Sequence, residues 1–74
     1  MKLAEVPRDS EVVFIGFNLT TEDDWQSLSD IGLGINEKVK VIDLNDQYVK
    51  ILLENGREIE IPRKLADKIE VIET

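Results

Sequence analysis

The chain has 74 residues, no cysteine, no histidine and a net charge of −7 from 9 basic and 16 acidic side chains. That is room for one small domain, with no disulfide and no Cys- or His-based zinc site to hold it together. The charge also argues against a nucleic-acid partner, because such a partner rewards an excess of Lys and Arg that displaces counterions from phosphates. It is unevenly spread: residues 1–37 carry 2 basic and 8 acidic residues, a net of −6, against 7 basic and 8 acidic, a net of −1, in residues 38–74.

The first residues, Met1 to Pro7, contain no apolar run of signal-peptide length. The longest apolar stretch, Val12 to Phe17, is far short of the roughly 20 residues a membrane span needs, so a cytoplasmic protein without membrane insertion is expected. Glu11 to Phe17 is rich in β-branched and aromatic residues and predicts a first strand. A helix over residues 21–31 follows. Thr20 or Thr21 is placed to cap it, and Glu22, Asp23 and Asp24 put negative charge on its first turn, where the dipole favours it. Trp25, Leu28 and Ile31 recur three apart and are expected on one face. Gly32 suits the left-handed residue that ends a helix, with Leu33 as the apolar contact just beyond it.

Four further strands are predicted at residues 38–42, 48–53, 58–61 and 69–71, with a helical turn at 62–67 before the last. The alternation sends Val12, Phe14, Val39, Val41, Val49, Ile51, Leu53, Ile59, Ile61, Ile69 and Val71 inward, under Leu28 and Ile31. Five strands this short cannot make two packed sheets, so a small closed barrel is expected. Asn55-Gly56 marks the hairpin between the third and fourth strands. A two-residue loop would set Leu53 against Glu58 and Ile51 against Glu60, pairing core aliphatics with charges. A three-residue loop at residues 54–56 pairs Ile51 with Ile59 and Val49 with Ile61, and puts Gly56 at the left-handed position of a bulge.

Catalytic inventories are missing: no Cys–His pair, no histidine to activate Ser10, Ser27 or Ser29, and no glycine-rich loop after a strand. The protein is expected to act by binding and not as an enzyme, with no cofactor. Glu22, Asp23 and Asp24, or Asp43 and Asp46, offer oxygens to a hard cation. Helix-start carboxylates usually serve the dipole, however, and turn aspartates bond their own backbone, so no metal ligands are assigned. Trp25, Leu33 and Ile35 are the candidate partner-binding residues. Leu33 and Ile35 flank Gly34 after the helix has ended, where large aliphatics are exposed unless they fold back on the core. Trp25 either packs on the barrel or stands as an exposed anchor.

The order of elements, with Leu28-Ser29-Asp30-Ile31-Gly32-Leu33 at the helix end and Leu65-Ala66-Asp67-Lys68-Ile69-Glu70-Val71 at the close, resembles the FeoA family from Val6-Pro7 to Val71. The resemblance implies an SH3-like barrel of the kind that accompanies the ferrous-iron permease FeoB and that also closes DtxR-type repressors. The implied fold is mainly β: five barrel strands, one short helix inserted between strands 1 and 2, and a helical turn before the last strand. The implied function is accessory to ferrous iron uptake, with the cytoplasmic part of a membrane transporter as partner. A stand-alone metal-responsive regulatory domain and an SH3-type peptide module are the alternatives. Two departures stand out. Ile35-Asn36 replaces the family's Pro-Gly, where asparagine still tolerates the left-handed conformation. Gln26 and Ser27 stand where basic residues are common.

Overall fold

The computed structural model describes residues 1–74. A 3-10 turn at Leu3–Glu5 leads into β1 (Glu11–Phe17), α1 (Glu22–Ile31), β2 (Lys38–Leu44), β3 (Tyr48–Leu53), β4 (Glu58–Pro62), the short α2 (Arg63–Ala66) and β5 (Ile69–Glu73). The strands form one antiparallel sheet in the order β4-β3-β2-β1-β5. This is the expected mainly β, SH3-like architecture with α1 inserted between the first two strands. Closure is the point of difference. β4 and β5 are the two end strands of the sheet, and the chain crosses between them through α2 instead of pairing them. The 3-10 turn packs against both α2 and β5, so the N-terminal segment occupies the gap that a closed barrel would seal with hydrogen bonds.

The core follows the period-2 pattern. Val12, Phe14, Val39, Val41, Val49, Ile51, Ile61, Ile69 and Val71 are each at most 2% exposed. Leu28, Leu33, Leu53, Leu65 and Ala66 join them, along with Leu3, Ala4 and Val6, which the strand pattern did not include. Leu3-Ala4-x-Val6 has neither a helical nor a strand period, so nothing in the sequence marks it as core. Ile59 and Ile31, expected inside, are only partly buried. Ile59 lies on an edge strand with no neighbour beyond it.

One backbone device recurs three times. At Gly56 (φ 89°) the N–H donates to the Leu53 carbonyl at 3.0 Å while Leu53 N–H donates to Arg57 at 2.8 Å. Asn36 (φ 69°) does the same with Phe14, its N–H reaching that carbonyl at 2.8 Å while Phe14 N–H reaches Glu37 at 3.0 Å. Asp9 (φ 72°) repeats it against Val41, at 2.7 Å, with Val41 N–H reaching Ser10 at 2.9 Å. Each is a bulge whose first residue is left-handed, and each bends the strand and strengthens its twist. The first is the expected three-residue hairpin: Ile51 faces Ile59 and Val49 faces Ile61. The second shows Asn36 in the conformation that the Pro-Gly replacement requires.

Candidate interaction surface

Helix α1 is placed by its ends. Asp24 N–H donates to Thr21 Oγ1 at 3.1 Å, and the helix stops at left-handed Gly32, whose N–H donates to the Leu28 carbonyl at 3.0 Å. Asp24 also forms an ion pair with Lys68, which fastens the first turn of α1 to the start of β5. The Lys68 ammonium holds the Asp24 carboxyl below its ordinary 3.8, against a smaller opposing effect of desolvation and with help from Thr21. Glu22, Asp23 and Asp24 therefore do not converge on a common point. Asp43 likewise accepts from Arg8 at 2.7 Å and from its neighbour's Leu44 N–H at 2.9 Å. No group of three or more acidic, histidine or cysteine side chains is arranged around one position.

Steps of three along a helix drift by about 60° each. Leu28 is therefore centred on the core and 5% exposed, while Trp25 and Ile31 stand to either side of it. Trp25 is 52% exposed: the shared face read from its spacing is real for Leu28, only partial for Ile31, and lost for Trp25. The three candidate contact residues separate in the same way. Leu33 is 9% exposed and belongs to the core cluster, in the helix-closing role that the residue after Gly32 can take. Ile35 is 52% exposed at the second position of the Gly34–Glu37 turn, which closes with a Glu37 N–H bond to the Gly34 carbonyl at 3.3 Å. A left-handed third residue is what a type II turn needs, and its second position is the usual place for proline.

Sequence reasoning missed two groups of residues. Arg63 donates to the Ala4 carbonyl at 2.9 Å and to the Asn45 carbonyl at 2.7 Å, tying the 3-10 turn, α2 and the β2–β3 turn together. Ile15 and Ile72 are 46% and 52% exposed on the outer side of the sheet. Their signal was present, since β1 is apolar on both faces and Ile72 follows the inward Val71. A shallow depression of about 320 Å³ lies over Val39 and Leu53 and is bordered by Lys38, Lys40, Glu11 and Glu54. Its border holds two lysines and two glutamates, and Lys38 is already paired with Glu11 at 3.6 Å.

Similar folds fall into two groups. A crystal structure of the iron uptake regulatory protein FeoA superposes with a TM-score of 0.84 at 19% identity, covering 100% of this chain and 97% of that one. A crystal structure of IdeR of T. acidophilum gives 0.89 at 27% identity, covering 100% of this chain and 34% of that one. A manganese-dependent transcriptional repressor gives 0.92 at 10% identity, with 100% and 36% covered. The chain thus spans about a third of the repressors and nearly all of the small protein. Comparison with curated proteins finds no match. The sequence profile of the FeoA domain matches residues 1–73, so the chain belongs to the FeoA domain family.

Proposed function

We propose that the protein is a non-catalytic accessory of ferrous iron uptake that acts in the cytoplasm by binding the cytoplasmic part of a FeoB-type transporter. The match to the FeoA domain across residues 1–73 carries this reading. The surface agrees with it: Trp25 and Ile35 are exposed, and the negative charge suits a cationic protein surface and steers encounter with it. Leu33 supports this surface from beneath by fixing the chain between α1 and the turn. The direct test is titration of the transporter's soluble cytoplasmic domain into isotopically labelled protein. Saturable binding that shifts Ile35 or Trp25 and weakens with salt is expected. No binding by a folded sample overturns the reading.

A metal-responsive regulatory role is the second reading, favoured by the close superposition on repressor domains. A donor set limited to carboxylates, two of them engaged by Lys68 and Arg8, ranks it lower. Calorimetric titration with Fe²⁺ or Mn²⁺ separates the two: stoichiometric micromolar binding favours regulation. An SH3-type peptide groove ranks last, because Phe14 is buried and Phe17 packs edge-on against it at 6.2 Å, leaving Trp25 and Tyr48 to line any aromatic track.

A further inference from the structure

The sheet ends in two different ways. At β5 the outer edge is taken up by the chain itself: Val71 N–H donates to the Met1 carbonyl at 2.7 Å, and Lys2 bridges to Glu70. At β4 the only paired strand is β3, and no strand lies beyond. The hairpin decides which backbone groups of β4 are left over. Leu53 N–H donates to the Arg57 carbonyl at 2.8 Å, so these two residues form a hydrogen-bonded pair. Such pairs alternate along an antiparallel ladder. Ile59 and Ile61 therefore direct their N–H and C=O groups to Ile51 and Val49, while Glu58 and Glu60 turn theirs away from β3. Neither of those N–H groups finds an acceptor in a turn or loop. Pro62 has no N–H and α2 begins directly after it, so the open edge is short, with the donors and acceptors of Glu58 and Glu60 at its centre.

The side chains along this edge alternate too. Glu58 and Glu60 are exposed on the outer face, and Ile59 between them turns to the inner face, where it is only partly buried. Lys50 of β3 stands opposite Glu60 and pairs with Glu58 at 3.4 Å. Arg57 and Lys64 are exposed past either end of the strand and form no ion pair with the two glutamates, and Arg63 is turned to the Ala4 and Asn45 carbonyls. The one cation that pairs with these glutamates thus reaches them from the β3 side.

A second copy does not suit this edge. Two β4 strands would pair through the outward groups of Glu58 and Glu60, and every such register sets glutamate against glutamate or against Pro62. Like charges directly opposite one another are destabilising.

We propose that the open edge of β4 adds a strand from a partner protein in which basic and apolar side chains alternate. The backbone of Glu58 and Glu60 supplies the ladder. A Lys or Arg opposite each glutamate pairs with it on the outer face, and the apolar residue between them covers Ile59 on the inner face. The edge lies at the other end of the sheet from β5, to which α1 and Trp25 are fastened, so the proposal goes beyond the accessory reading and does not depend on it.

Three synthetic peptides test it against the isotopically labelled full chain: an alternating lysine–valine peptide, its glutamate–valine counterpart, and the lysine–valine peptide N-methylated at every second amide. The first should shift the Glu58, Ile59 and Glu60 amide signals saturably, slow hydrogen exchange at the Glu58 and Glu60 N–H groups, and lose affinity as salt rises. The other two should bind about tenfold more weakly or less, one for want of charge pairing and the other for want of ladder hydrogen bonds. Glu58→Lys with Glu60→Lys should reverse the preference toward the glutamate peptide. Should that variant fail to fold, Glu60→Gln alone should weaken the lysine peptide. Equal binding of the charged peptides, undiminished binding of a peptide methylated in either phase, shifts confined to α1 or β5, full affinity in the variants, or no binding by a folded sample overturns the proposal. So does concentration-dependent dimerisation that protects the Glu58 and Glu60 amides. If the transporter domain binds through Trp25 and Ile35 while no peptide binds, the edge proposal falls and the uptake reading stands. If the lysine peptide binds at β4 while the transporter domain does not bind at all, the uptake reading falls and the edge stands.

Discussion

At single residues the three left-handed bulge positions are filled by Asp9, Asn36 and Gly56, in increasing order of conformational ease. Nothing lies within 4 Å of a Cβ built at Gly56, so Gly56→Ala tests backbone strain alone. It should cost about 1 kcal/mol in a denaturant melt; an unchanged midpoint would mean that the loop is not held in this form. Asn36→Gly should leave stability equal or slightly raised, since glycine adopts the same conformation freely. Leu33 and Ile35 differ in the opposite sense to their adjacency. Leu33→Ser should destabilise strongly because it puts a hydroxyl into the core, while Ile35→Ser should barely move the melt. Equal losses from both would return Ile35 to the core. Asp24 adds a pH signature. Its carboxyl is held below 3.8 in the folded protein, so the stabilisation is fully present above that value and is lost as pH falls through the folded one. Asp24→Asn should therefore be less stable than the parent at neutral pH, with the gap closing in acid. A gap constant down to low pH would show that the ion pair with Lys68 contributes nothing.

Among the elements, the N-terminal segment does the work that a closing pair of strands would do. Leu3 is fully buried, and the turn that carries it is fastened by Arg63. Leu3→Ala should cost about 2–5 kcal/mol, as large-to-small changes in cores do, which is a large share of the stability of a domain this small. A loss below about 1 kcal/mol would mean that the segment is dispensable. Helix α1 shows the opposite dependence. Its caps are written in Thr21 and Gly32, but it is 10 residues long and holds the sheet through Leu28 and the Asp24–Lys68 pair. The β3–β4 hairpin is the most self-contained element. Its register follows from keeping aliphatics opposite aliphatics, and its outer face adds a Lys50–Glu58 pair at 3.4 Å, which raises the Lys50 ammonium above its ordinary 10.5.

For the whole molecule the charge of −7 sets an expectation about salt. The five ion pairs are at least partly exposed and individually worth little, so mutual repulsion of the excess carboxylates should dominate. Raising sodium chloride from about 0.01 to 0.5 M shortens the screening length several-fold and should raise the melting temperature; a fall would show that the ion pairs outweigh the repulsion. The sequence by itself determined the order of the strands and of α1, the ends of α1, the inward set of the strands apart from Ile59 on the edge strand β4, and the three-residue hairpin. These depend on neighbours two to four residues apart, where periodicity, capping and cross-strand parity act. Only the tertiary structure decided that the sheet stays open, that Leu3, Ala4 and Val6 fill the gap, that Arg63 clamps two distant carbonyls, and that Leu33 is buried while Trp25 and Ile35 are not. Those outcomes depend on contacts between residues far apart in the chain, such as Arg63 with Ala4 or Asn36 with Phe14, and short-range patterning carries no record of which surfaces meet.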